Sequence, residues 1–195
     1  MSKLILASAS PRRAHLLGHL VSDFEVIAAD VDETVKAMEL PDALVSRLAA
    51  LKAKAVYDLQ ETSSRRSIAV LGSDTVVAAD DRILCKPTNF KDFHEMMSIL
   101  SNSVHQVYTG VCLIHEKLQQ SIVVKTEVYF SPISEMEIED YWQTGEPQDK
   151  AGGYAIQGVG GKFVERIHGS YSAVVGLPLV ETKNLLSEAG ILNGS

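Results

Sequence analysis

The chain has 195 residues, 46% of them hydrophobic and 22% charged, with a formal net charge of −7. That is enough apolar material for one folded domain, built as a single body or as two lobes. So acidic a balance argues against a nucleic acid or an anionic membrane surface as partner. The two cysteines, Cys85 and Cys112, form no CxxC pair, so no zinc or dithiol motif is present, and such low usage fits a reducing cytoplasm. The apolar run at 4–7 is too short for a signal peptide, and no run approaches a membrane span.

Residues 3–7 (KLILA) read as a short buried strand. Ser10 and Pro11 mark a helix start, a hydroxyl at the N-cap and proline at the first helical position, and this helix runs to about residue 20. Segment 24–29 (FEVIAA) reads as a second strand, ending in the acidic loop 30–34 (DVDET). Residues 41–59 give the clearest helix, in which Leu44, Leu48, Leu51, Ala55 and Leu59 step by three and four. A polar loop covers 61–67. The run 68–79 (IAVLGSDTVVAA) is almost continuously apolar, as in a sheet covered on both faces. Residues 80–82 turn the chain into a short return strand over 83–87. A helix follows over 88–100, then two long strands within 104–130 joined by a hairpin turn near 116–120. Residues 133–144 read as a helix capped by Ser134, 149–178 as glycine-rich and irregular, and Pro178 opens a last helix ending at Gly190. The alternation predicts an α/β fold, a mixed twisted sheet with flanking helices.

Several residues fit poorly with a purely structural role. Arg12 and Arg13 stand in the first turn of a helix, where a cation costs about 0.3–1 kcal/mol unless an anion offsets it. They are either surface arginines or half of an anion site completed by backbone N–H groups and the hydroxyls of Ser8 and Ser10. Asp74 lies inside an apolar strand, where an unpaired carboxylate costs several kcal/mol. It is either hydrogen-bonded to backbone or it is a metal ligand or general base. Gly72, two residues earlier, admits a close approach by a backbone or a ligand. At about 100° per residue Lys52 falls between Leu48 and Val56 inside the apolar stripe, as a snorkelling stem or as a cation aimed into a cleft. Lys54 falls on the polar side with Arg47 and Asp58. Lys86 precedes a proline that fixes its backbone. Glu33 shares the acidic loop with Asp30 and Asp32, and solvation accounts for most carboxylates so placed. The loop IQGVGG (156–161) offers backbone N–H groups with little steric bulk, without P-loop or dinucleotide-binding spacing, and Gln157 carries both a donor and an acceptor for a base edge. His15 and His19, four apart on a helix, have no third ligand in the sequence and read as surface histidines.

Four cations (Arg12, Arg13, Lys52, Lys86) and two carboxylates (Glu33, Asp74) are together what a polyphosphate with a divalent metal requires. Cations take phosphate oxygens, while carboxylates hold magnesium or manganese and can accept a proton from water. The chemistry so defined is metal-assisted hydrolysis of a phosphoanhydride.

The motifs SASPRR (8–13), VDET (31–34), RLAALKA (47–53), GSDTVV (72–77), KP (86–87), YTG (108–110), the run 149–171 and VVGLPL (174–179) resemble, in order and through nearly the whole chain, the Maf-type nucleoside triphosphate pyrophosphatases. The resemblance implies an α/β fold with two lobes around a deep central cleft, related in outline to inosine triphosphate pyrophosphatases, and a homodimer. It implies cleavage of a nucleotide between the α- and β-phosphates with Mg2+ or Mn2+. The catalytic aspartate falls on Asp74, the metal-linked carboxylates on Glu33 and Asp74, and the phosphate-binding cations on Arg12, Arg13, Lys52 and Lys86, with Ser8 and Ser10 nearby. Thr75 and Gln157 match the branch that acts on dTTP and UTP, and modified pyrimidine triphosphates are a further substrate class. The chain departs from the family pattern at Leu51, where glutamate is common; the leucine reads as part of the apolar stripe. Two other readings stand beside this one: a nucleotide-binding regulator of cell division with little turnover, and a pyrophosphatase for inosine or xanthosine triphosphates.

Overall fold

The computed structural model describes residues 2–61, 67–80, 82–116 and 118–192. Residues 62–66 of the expected polar loop, Asp81 of the turn and Lys117 of the hairpin tip lie outside that description.

The elements in chain order are β1 (Lys3–Ala7), α1 (Pro11–Leu17), β2 (Glu25–Val26), α2 (Pro41–Leu59), β3 (Ile68–Ala79), β4 (Arg82–Leu84), α3 (Phe90–Leu100), β5 (Val104–His115), β6 (Leu118–Phe130), α4 (Glu135–Gln143), β7 (Val164–His168), α5 (Tyr171–Val175) and α6 (Leu179–Glu188), with short 3-10 turns between α4 and β7. The strands hydrogen-bond in the order β2-β1-β3-β5-β6-β7, and β4 pairs off this path with β3. β1 runs parallel to β2 and β3, while β3/β4 and β6/β7 are antiparallel, so the sheet is mixed as expected. No helix among the described residues is long and apolar enough to cross a membrane.

Two compact units make up the chain. The first comprises Met1–Asp74, Thr109–Val124 and Gly176–Ser195, the second Thr75–Tyr108 and Lys125–Val175. In the first unit α2 packs on the central strands, with Ala49, Ala53, Val56 and Tyr57 against Ile5, Ala7, Val70 and Cys112. The buried face of α2 is Leu44, Val45, Leu48, Ala49, Lys52, Ala53, Val56 and Tyr57. The stripe expected through Leu51 and Leu59 is therefore rotated: Leu51 is 38% exposed and Leu59 is 74% exposed. The cause is tertiary. A Cβ on Gly72 would stand 2.2 Å from the Ala49 carbonyl oxygen, and one on Gly110 2.4 Å from that of Val45. Glycine at both positions lets the helix backbone lie directly on β3 and β5, and that approach selects the small-residue face.

Other boundaries shift for local reasons. α1 stops at Leu17 and the residues up to 20 form turns, the chain leaving the helix at Gly18. Ser10 occupies the N-cap, but its hydroxyl caps nothing; its own N–H donates to the Ser8 hydroxyl at 3.2 Å. β2 keeps only two exposed residues of the six expected. β4 ends at Leu84, which leaves Lys86 and Pro87 in the following loop. α3 begins at Phe90 rather than at residue 88, and Asn89 caps it, accepting from the Asp92 N–H at 3.0 Å. Ser134 caps α4 as expected and forms a reciprocal capping box with Glu137. Pro178 is the N-cap of α6 and stands just before its first residue. The segment 149–178, read as irregular throughout, contains β7 and α5.

The second unit has its own aromatic core around Phe93, Phe130, Tyr141, Tyr154 and Phe163. His105 is fully buried there, edge-on to Phe130 and Tyr154, with Nε2 2.7 Å from the Tyr154 hydroxyl and Nδ1 without a hydrogen-bond partner among the described residues. Burial pushes its pKa down from 6.5 to about 4. The unfolded chain thus takes up this proton as pH falls through 6.5, whereas the folded chain does so only near 4. The resulting stabilisation is complete above pH 6.5 and is lost across that window, by about 3 kcal/mol in all. Urea denaturation at pH 7.5 and 4.5 tests this against the double variant His105→Leu/Tyr154→Phe, which removes both polar partners at little net cost. Wild type is expected to lose about 2–3 kcal/mol more than the double variant on acidification; equal losses would refute it.

Candidate active site

The approach of α2 to β3 at Gly72 also builds the polar centre. Asp74 lies two residues beyond Gly72 on the same face of β3, and Lys52 lies on the buried face of α2 beside Ala53, whose N–H would be 2.7 Å from a Cβ on Gly72. Lys52 and Asp74 are only 7% and 6% exposed. The Lys52 ammonium donates to Asp74 Oδ1 at 2.7 Å and pairs with Glu33 Oε1 at 2.6 Å, so one cation holds both carboxylates. Of the two sequence readings for Lys52, the structure selects the inward-pointing cation over the snorkelling stem. Lys54 is exposed and pairs with Asp58, an ordinary surface contact.

Arg13 joins the same centre. Its Nε donates to the Gly176 carbonyl at 2.9 Å and its Nη1 to Ser8 Oγ at 3.3 Å. Burial lowers the guanidinium's pKa; Asp74 opposes that shift, Arg12 adds to it, and Glu33 opposes it again. Arg12, Arg13 and Lys52 therefore stand against two carboxylates, giving a local excess of positive charge in a chain of net charge −7. Such an excess attracts an anion more highly charged than a single carboxylate.

The loop carrying Glu33 is braced from α2. Arg47 Nε and Nη2 donate to the two Glu39 oxygens at 2.6 and 2.7 Å, and Nη2 also donates to the Thr34 carbonyl at 3.1 Å. The Arg47 hydrogen bond holds the Glu39 carboxyl down at about 2. Asp32 Oδ1 accepts from the Thr34 N–H at 2.9 Å, closing the turn, and both Asp30 and Asp32 are exposed as expected. Glu33 itself is 47% exposed at its side chain, open to solvent on one side and held by Lys52 on the other.

Two contributors carried no role in the sequence reading. Ser73 is fully buried and donates to the Gly176 carbonyl at 3.0 Å. That one oxygen thus ties helix α1, strand β3 and the approach to α6. Gly176 has φ +131°, a conformation closed to other residues, and VVGLPL was the only signal for it. Arg47 and Glu39 likewise acquire meaning only from the folded loop.

The first unit thus brings together Ser8, Arg13, Glu33, Lys52 and Asp74, with Ser10 and Arg12 beside them in the chain. Thr75, Lys86 and Gln157 belong to the second unit. There Thr75 is half-buried in β3, Lys86 is exposed before the buried Pro87, and Gln157 is exposed. In the glycine-rich loop the N–H groups of residues 158–161 are all engaged within the chain. The Val159 and Gly160 N–H groups donate to Glu146, and those of Gly158 and Gly161 to the carbonyls of Ala155 and Gly158. Two of the loop's N–H groups are thus taken by a carboxylate of the chain itself. His15 and His19 are exposed and meet edge to face at 4.9 Å.

Among the described residues no three His, Cys, Asp or Glu side chains gather as a metal cage. Two carboxylates converging on one ammonium nevertheless suit magnesium or manganese, which bind through one or two carboxylates and complete their shell with water and phosphate oxygens.

The Maf-like protein family model matches residues 3–189. The chain is 50% identical over 188 residues to the dTTP/UTP pyrophosphatase of Pseudoalteromonas atlantica, covering 96% of this chain and 97% of that protein. It is 51% identical over 185 residues to the dTTP/UTP pyrophosphatase of Vibrio parahaemolyticus (95% and 96% covered) and 51% identical over 186 residues to that of Vibrio cholerae (95% and 97%). A solved structure, the Ham1 protein of Staphylococcus aureus, aligns with 66% of this chain and 72% of its own, at a TM-score of 0.45 and 12% identity. The chain belongs to the Maf-like protein family.

Proposed function

We propose that the protein hydrolyses dTTP and UTP, between the α- and β-phosphates, to the monophosphate and pyrophosphate. The observation that carries the reading is the Lys52 ammonium held between Glu33 and Asp74 with Arg13 in electrostatic contact with both carboxylates. The substrate class comes from relatives at about half identity named dTTP/UTP pyrophosphatase.

In this reading Arg12 and Arg13 take phosphate oxygens through their guanidinium forks, with Lys52 as third cation. Ser8 and Ser10 shape the bend that presents the arginines. Asp74 accepts the proton of the attacking water; Oδ1 is engaged by Lys52, which leaves Oδ2 for the proton. Glu33 and Asp74 would hold Mg2+ or Mn2+, which when bound polarises the phosphoryl group under attack. Lys86 as a phosphate contact, and Thr75 and Gln157 as contacts to the base, rest on the family resemblance. So does a homodimer, while a cytoplasmic setting rests on the scarcity of cysteine, two residues in 195.

A nucleotide panel tests the reading, with products separated as mono- or diphosphate. dTTP and UTP with Mg2+ or Mn2+ are expected to give monophosphate and pyrophosphate at rates about tenfold or more above those of ITP and XTP, a margin worth about 1.4 kcal/mol in the transition state. Preference for ITP or XTP would replace it with the purine reading, and tight binding without turnover with the regulator.

A further inference from the structure

The contacts that fill the glycine-rich loop assign a role to a residue the reaction itself does not need. Glu146 follows α4 through Gly145, which takes φ +74° and turns the chain sharply. Its carboxylate then reaches into the loop. Oε1 accepts from the Tyr141 hydroxyl at 2.6 Å and the Gly160 N–H at 3.0 Å, and Oε2 accepts from the Val159 N–H at 3.0 Å. Tyr141, only 1% exposed, accepts in turn from the Ala155 N–H at 3.1 Å. One carboxylate and one phenol therefore pin the chain on both sides of Gln157, at Ala155 and at Val159–Gly160. Two of the glycines exist for this clamp: a Cβ on Gly158 would lie 2.1 Å from Glu146 Oε2, and one on Gly160 2.4 Å from the Tyr141 hydroxyl. Burial alone would raise the Glu146 pKa, but hydrogen bonds from Tyr141, Gly160 and Val159 outweigh it and hold it low, so the clamp stays charged at working pH.

We propose that Glu146, through Tyr141 and the 156–161 loop, is a positioning residue that sets selectivity for a one-ring over a two-ring base; this rests on the proposed function in taking Gln157 as the contact to the base. A glutamine amide can turn over and pair with either pattern of donors and acceptors, so its chemistry alone discriminates weakly. A held backbone fixes how close that amide can stand to a base, and a fixed depth admits one ring size. A loosened loop can retreat and accept both.

The test is calorimetric binding of UMP and IMP to wild type, Glu146→Gln and Tyr141→Phe, with amide hydrogen exchange and Tm on each. Glutamine keeps the size of Glu146 but supplies only one acceptor oxygen. Tyr141→Phe keeps the ring in the core and removes the tie to Ala155. Wild type is expected to prefer UMP. Glu146→Gln is expected to reduce that preference about tenfold, with faster exchange at Val159 and Gly160, in line with the loss of a charge-assisted hydrogen bond. Tyr141→Phe is expected to give a smaller loss, with faster exchange at Ala155. Unchanged preference in Glu146→Gln despite faster exchange or a lower Tm would overturn the proposal, leaving Glu146 a structural residue. Wild type binding UMP and IMP alike would overturn it too. Preserved UMP preference without pyrophosphate release from any triphosphate would refute the functional reading and leave the clamp standing.

Discussion

Asp74→Asn is expected to cut pyrophosphate release from dTTP by roughly 10²–10⁴-fold, the range for removing a positioned general base. The amide has nearly the size of the carboxylate, so packing inside β3 is kept. Its oxygen can still accept from the Lys52 ammonium, and Lys52 retains Glu33 at 2.6 Å. What the amide cannot do is take a proton from water or lend a charge to a divalent ion. Arg12 and Arg13 are untouched, so nucleotide affinity is expected to survive better than turnover. A thermal shift by dTTP with metal should persist while the rate collapses, since stabilisation by a bound ligand depends only on affinity and concentration. Rates equal to wild type would remove Asp74 both as base and as required ligand. A lost thermal shift with a normal rate is the pattern that no role for Asp74 in chemistry could produce.

How much of this was legible in the sequence follows from where each signal resides. β3 and α4 were legible because their evidence is local, a continuous apolar run in one and the capping serine Ser134 in the other. The apolar run placed Asp74 within β3, and the helical period placed Lys52 in the apolar stripe of α2 without deciding between a snorkelling stem and a cation aimed inward. The phase of the α2 stripe was misread at Leu51 and Leu59, since counting leucines ignores the two glycines on neighbouring strands that choose the alanine face. β7 was hidden because its pairing partner is β6, more than thirty residues away, while its own surroundings are glycine-rich. Ser10 offered a capping hydroxyl that the fold leaves unused, because the Ser8 side chain bends the chain there instead. The motif VVGLPL drew attention to Gly176 but not to the role of its carbonyl, for a backbone oxygen has no residue type to announce it. The Glu146 clamp was equally silent: glycine spacing in 156–161 looks the same whether the loop awaits a phosphate or already holds a carboxylate.

Lys52→Met is expected to destabilise the protein by about 3–5 kcal/mol, the range for breaking a buried pair from one side. Methionine matches the length of the lysine stem, so the loss is chiefly electrostatic. It strands the Asp74 carboxylate, 9% exposed at its side chain, whereas Glu33, at 47%, can turn to water. Arg13 feels Asp74 but is committed to Gly176 and Ser8, so it softens the penalty without replacing the ammonium. Urea denaturation gives the single variant, and the double variant Lys52→Met/Asp74→Leu gives the coupling. With both charges gone and the volume filled, the double variant is expected to recover most of the loss and to equal or exceed wild type, as buried pairs replaced by apolar residues commonly do. It is also expected to be inactive. A single variant as stable as wild type would mean that Asp74 is not stranded and that the pair is not the electrostatic centre of β3. A stable, inactive double variant would show that the fold has no need of these charges, and that they are retained against stability for the chemistry they perform.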